Sequence, residues 1–156
     1  MQIPDGKEGI KDTLRLMHDL VVHGKKNITV REKALELTRY LKQKAYLDEV
    51  KVLFDFVQNR IRYIRDIHTV ETVHLPEKVL EYGQGDCDDK AILLSSMLES
   101  IGHPTRFVAV GFRERPYSHV FTETKVGNKW LALDPTDDKP MGWKPPNITS
   151  TLIIYN

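Results

Sequence analysis

The chain has 156 residues, enough for one domain over residues 1–156, and its single cysteine excludes an internal disulfide or a metal site built from several thiolates. Apolar residues make up 40% and charged residues 29%, with a formal net charge of +1, so there is no electrostatic reason to expect nucleic acid or an acidic membrane as partner. Residues 1–11 lack the apolar segment of a signal peptide, and runs such as Ala91 to Leu94 are too short to cross a bilayer, so a soluble cytoplasmic protein is expected.

The first half predicts helices, forming an N-terminal helical part over residues 1–50. Between Lys11 and His23, Leu14, Met17, Leu20 and Val21 fall on one helical face, and Gly24 supplies a stop. Thr29 and Glu32 have capping-box spacing, predicting a helix that turns Ala34, Leu37 and Leu41 inward. A third helix is expected from Asp48 to Tyr63, burying Val50, Leu53, Phe54, Val57 and Ile61. Residues from Ile64 to Leu75 lose the helical period and read as extended, and Pro76 opens a short helix ending near Gly83. Gly85-Asp86 introduces a fourth long helix with Ala91, Leu94, Leu98 and Ile101 inward, closed by Gly102 and Pro104.

There the period changes to strands. Thr105 to Phe112 is rich in β-formers, and Ser118 to Val126 and Lys129 to Leu133 flank Gly127-Asn128, a two-residue hairpin signal. Residues 137–156 predict an irregular tail with a last strand at Thr151 to Tyr155. Helices followed by an antiparallel sheet argue an α+β fold.

Cys87 stands at the predicted start of the fourth long helix, where unpaired N–H groups and a partial positive charge favour a thiolate and an oxyanion. Asp86, Asp88 and Asp89 beside it oppose thiolate formation, so a cationic partner is needed. The hairpin supplies a histidine. With Gly127-Asn128 as the turn, Val126 faces Lys129, His119 faces Thr136 and Asp134 faces Phe121. His119 and Asp134 then lie on one face as diagonal neighbours, about 7–8 Å apart or less at Cβ, within reach of an imidazole–carboxylate hydrogen bond. A register slip by one residue would separate them. Together the three residue types point to nucleophilic acyl transfer.

Six histidines also raise a metal reading. His68, His74, His119 and Cys87 could ligate zinc, but their spacing matches no compact zinc motif, and neither a metal nor another cofactor is expected. His18 and His23 read as solvated or capping residues. Trp130 reads as core, and Trp143 among prolines as a cover over the site or a partner surface.

Gly85-Asp86-Cys87-Asp88-Asp89 with Leu93, Leu94 and Leu98, the Gly102 to Arg106 turn, Ser118-His119-Val120, and Trp130 to Thr136 resemble the motifs of the transglutaminase-like superfamily. Arg62-Tyr63 and Leu75-Pro76 also fall where its members carry similar residues, so the likeness runs from about Val57 to Thr136, within a catalytic core of residues 51–136. It implies a papain-like fold with a nucleophile helix packed on an antiparallel sheet, and small stand-alone bacterial or phage members are the most similar. It implies Cys87 as nucleophile, His119 as general base then acid, and Asp134 as the residue that orients the imidazole. The Cys87 backbone N–H is implied as an oxyanion donor, with the Gln84 side chain either a second donor or a surface group. The expected reaction is thiol-dependent acyl transfer on a protein or peptide amide, as cysteine protease, amidase or transglutaminase. A catalytically silent binding or assembly module is the alternative. Substrate and oligomeric state are not fixed by the sequence.

Overall fold

Helical periodicity gives way to strand alternation after Gly102, and the architecture divides at the same point. A computed structural model describes residues 7–65 and 73–156. Within them lie α1 (Lys7–Gly24), α2 (Ile28–Thr38), α3 (Tyr46–Arg60), β1 (Arg62–Tyr63), α4 (Pro76–Tyr82), β2 (Gln84–Gly85), α5 (Cys87–Ser100), β3 (Thr105–Phe112), β4 (Arg115–Val126), β5 (Lys129–Leu133) and β6 (Ser150–Tyr155).

α5 is the hub. Every residue from Asp88 to Leu98 is buried, which the expected one-sided stripe of Ala91, Leu94 and Leu98 understated. The burial takes in Asp88, Asp89, Lys90, Ser95 and Ser96 as well as the apolar residues, because neighbours cover the helix on every side. On one flank Leu93, Leu94, Met97 and Leu98 pack with Val30 and Ala34 of α2 and Leu53, Phe54 and Val57 of α3. On the other, Ala91 and Ile92 pack with Leu14, Met17 and Val21 of α1 and with Phe107, Ala109 and Val120 of the sheet. Each fully buried large aliphatic side chain stabilises this arrangement by roughly 1.5–3 kcal/mol relative to exposure.

The sheet has the order β5-β4-β3-β6 with antiparallel neighbours throughout. The β4–β5 ladder runs from Thr122↔Leu133 to Val126↔Lys129, the register expected from the Gly127-Asn128 turn. Gly127 there has φ of 61°, which glycine adopts without a Cβ penalty. Val120 belongs to the apolar cluster shared with α5, whereas Val108, Val110, Phe121 and Ala132 form a cluster on the other face of the sheet.

Several local expectations are corrected. α2 is capped by Asn27, whose side chain accepts the Val30 N–H at 3.2 Å, so Thr29 lies inside the helix and the Thr29–Glu32 box is not its cap. α2 ends at Thr38, leaving Leu41 beyond it. α3 ends at Arg60 because Arg62 and Tyr63 leave the helix to pair in parallel with Gln84 and Gly85, a ladder too short to show in any period. Trp130 is half-buried outside the core, with the Arg106 guanidinium 4.3 Å from its ring centroid and Tyr155 edge-on at 5.7 Å. Of the stretch expected to be extended from Ile64 to Leu75, residues 66–72, and with them His68, lie outside the described residues. No helix among the described residues is long and apolar enough to cross a membrane.

Candidate active site

Cys87 is the first residue of α5, directly after its N-cap. The Asp86 carboxylate accepts the Asp89 N–H at 3.0 Å, and Asp89 Oδ2 accepts the Asp86 N–H at 3.2 Å, a reciprocal box that fixes the helix start. Asp89 also accepts the His74 backbone N–H on Oδ1 and lies 3.0 Å from His74 Nδ1. Gly85 is part of this construction: a Cβ there would sit 2.6 Å from Asp89 Cβ, so only glycine admits the buried carboxylate.

α5 is fixed against β4 by a buried polar bolt. Thr122 Oγ1 donates to Ala91 O at 3.2 Å and lies 2.9 Å from Ser95 Oγ. Ala91 is one turn beyond Cys87, and Thr122 is three residues beyond His119, so the bolt sets nucleophile helix and histidine strand in fixed axial register.

β5 pairs with β4 only as far as Thr122, so the stretch of β4 carrying His119 and Val120 has β3 on one side and no β5 residue on the other. Asp134, the first residue after β5, turns across this gap. Its Oδ2 lies 2.6 Å from His119 Nε2, and its Oδ1 accepts the Thr136 N–H at 3.2 Å. At 2% exposure Asp134 is a buried carboxyl group, and these donors satisfy its oxygens. The Val120 backbone N–H acts on the Cys87 thiol and favours its ionised form, so the sulfur lies near the residue next to His119. The structure therefore brings Cys87, His119 and Asp134 to one edge of β4.

The electrostatics differ from the sequence expectation at the sulfur. Burial, then the negative charges of Asp88 and Asp86, push the thiol pKa well above 9.0. The Val120 N–H pulls the other way, and the thiol lies 3.6 Å from Asp88 Oδ1, which it donates to and which favours the protonated form. Together these favour the thiol over the thiolate. At His119, burial pushes the imidazole down, but the hydrogen bond and charge of Asp134, followed by Asp137 and Asp88, raise it above 6.5. With Nε2 engaged by Asp134, Nδ1 is the nitrogen left to exchange a proton.

Gln84 is exposed on β2 and, with Gly85, Asp86, His74, Asp89, Ile64, Val79 and Tyr82, lines a cavity of about 210 Å³. Tyr63, opposite Gly85 in the β1–β2 ladder, entered the sequence reading only as part of the superfamily likeness, with no role given to it. Burial, then its proximity to Cys87 and Asp86, raises its phenol above 10.0, which places it at the rim of the site. The other described histidines pair elsewhere: His18 with Asn156, His23 with Glu77 and His103 with Glu49. Among the described residues no three metal-ligating side chains cluster.

The family model of the transglutaminase-like superfamily matches residues 25–135. No curated protein matches the chain. Among solved structures, a candidate protease from Parabacteroides distasonis ATCC 8503 superposes with a TM-score of 0.63 at 19% identity, over 88% of this chain and 30% of that one. A candidate cysteine protease from Cytophaga hutchinsonii gives 0.57 at 18% identity, over 81% of this chain and 46% of that one. Calcium-bound LapG of Legionella pneumophila gives 0.59 at 18% identity, over 85% and 80% of the two chains. The chain thus spans less than half the length of the first two neighbours, and at these identities the likeness is one of fold. A match over well over half the sequence, on the fold just described, makes the chain a member of the transglutaminase-like superfamily.

Proposed function

We propose that the protein performs thiol-dependent acyl transfer on a peptide or carboxamide amide. The supporting observation is the 2.6 Å His119–Asp134 pair at the edge of β4 where the Cys87 sulfur meets the Val120 N–H. In this reading His119 Nδ1 takes the thiol proton as sulfur adds to the amide carbonyl carbon. The Cys87 backbone N–H, which as the first in α5 has no acceptor within the helix, faces the oxyanion, with the Gln84 amide as second donor. Collapse breaks the C–N bond, and the leaving amine takes the proton from His119. Water or a second amine then attacks the thioester with His119 again as base, the C–S bond breaks, and the sulfur takes back the proton from His119. Asp134 keeps the Nε2–H tautomer and stabilises the imidazolium. Two structural neighbours are named as candidate proteases, which favours water as the final nucleophile.

The protonated resting thiol favours a second reading, a binding module that keeps the fold without turnover. Incubating the protein with a denatured protein substrate and a fluorescent primary amine separates the outcomes. Cleavage indicates hydrolysis and amine incorporation indicates transamidation, each expected to vanish in Cys87→Ala. Signal no greater than that of Cys87→Ala in both assays would leave the binding module as the reading.

A further inference from the structure

Lys90 is a charged side chain, only 1% exposed, that the acyl-transfer reading leaves without a task. A lysine is seldom buried to this degree unless partners hold its charge. It lies on α5 one turn after Cys87. Its Nζ donates to Ile61 O at 2.9 Å and Gln58 O at 3.4 Å, at the C-terminal end of α3, where free carbonyls and the helix dipole suit a cation. Gln58 faces two ways. Its carbonyl receives Lys90, and its side-chain amide donates to Asp137 O at 2.7 Å and Lys139 O at 2.8 Å, in the segment that follows Asp134. The charge of Asp134 acts directly on the ammonium.

We propose that Lys90 is a positioning residue: a buried cation whose charge opposes that of Asp134 and so keeps His119 available as a base. The physical need is plain. Asp134 is buried, and His119 neutralises it only when protonated. Without another cation, the pair lowers its energy by retaining the proton, and an imidazolium cannot accept one from the thiol. Asp137 and Asp88 also face His119 and push it the same way. Lys90 opposes Asp134, and the groups facing it are Asp134 and the carbonyls of Gln58 and Ile61. Burial brings its pKa down to about 8 against the upward pull of Asp134, so the cation is present at neutral pH and lost in mild alkali.

The catalytic relevance of Lys90 rests on the acyl-transfer reading; its effect on His119 does not, and is measured separately. The experiment is NMR titration of the His119 ring in Cys87→Ser, where no thiol titrates, with Lys90→Met and Lys90→Arg added in turn. Lys90→Met is expected to raise the His119 pKa by about 0.5–1 unit, leaving roughly three- to tenfold less neutral imidazole at pH 7. With Lys90 present the curve should show a second, smaller step near pH 8, where the amine loses its proton. Lys90→Arg should keep the His119 value and abolish that step, because a guanidinium does not deprotonate there. An unmoved His119 titration in Lys90→Met would reduce Lys90 to a tie between α3 and α5 and overturn the proposal. If Lys90→Met does not fold, absence of the step near pH 8 in Cys87→Ser overturns it instead. A His119 shift in a protein that turns over nothing would sink the acyl-transfer reading and leave this inference standing.

Discussion

At the scale of single residues, the site balances charges that oppose one another. Asp88 accepts from the thiol and adds negative charge beside it, so it holds Cys87 protonated. Asp88→Asn should lower the thiol pKa and increase alkylation of Cys87 at pH 8 by about three- to tenfold, measured as a second-order rate. An unchanged or slower rate would show that burial alone sets the thiol. Asp134 gives His119 a folded-state pKa above its unfolded value, so their interaction stabilises the fold fully below about pH 6.5 and fades as pH rises through the raised value. The loss of stability in Asp134→Asn, followed by urea unfolding, should therefore be larger at pH 5.5 than at pH 8.5. Cys87, His119 and Asp134 were legible as residue types in order along the chain. The acidity of the sulfur was not, because the sequence displays a helix start and three aspartates but not the burial that decides between them. Lys90 escaped notice for a related reason: a lone lysine in a helix reads as solvated until packing encloses it.

Among elements, the hairpin was the most legible part. Alternation and Gly127-Asn128 fix its register, and the register carries His119 and Asp134 to one another. The sequence places Asp134 within the paired strand, however, whereas β5 ends at Leu133 and Asp134 turns into the gap. The start of α5 was legible from Gly85-Asp86, and Asp89 completes it from within the helix. Gly85→Ala drives a Cβ to within 2.6 Å of Asp89 Cβ and should cost about 1–3 kcal/mol in chemical denaturation while slowing Cys87 alkylation. Neutral stability would mean that the capping box gives way without strain. Thr122→Val removes both bonds of the bolt and leaves Ala91 O and Ser95 Oγ to find other partners. A loss of about 1–3 kcal/mol is expected from thermal or urea unfolding. The β1–β2 ladder and the Asn27 cap were not legible. The former spans two residue pairs, and the latter depends on which of two neighbouring polar residues takes the non-helical conformation.

For the whole molecule, the order of helices before sheet implied the α+β class, and the family motifs implied its topology. What periodicity could not give is the enclosure of α5 by helices on one side and sheet on the other, which follows from long-range packing. That enclosure sets Cys87 at the start of a buried helix, His119 on a central strand and Asp134 just past a strand end. It also makes the thiol a weak acid, so its reactivity near neutral pH must come from His119. The most direct test is the rate of Cys87 alkylation against pH, in the parent and in His119→Ala. Because the sole cysteine is the target, the rate reports this site alone. The parent rate should rise through the raised His119 pKa, and His119→Ala should be about tenfold slower or more at pH 7.5, recovering only at strongly alkaline pH where the thiol ionises unaided. Superimposable profiles for the two proteins would contradict the assignment of His119 as the base that activates Cys87.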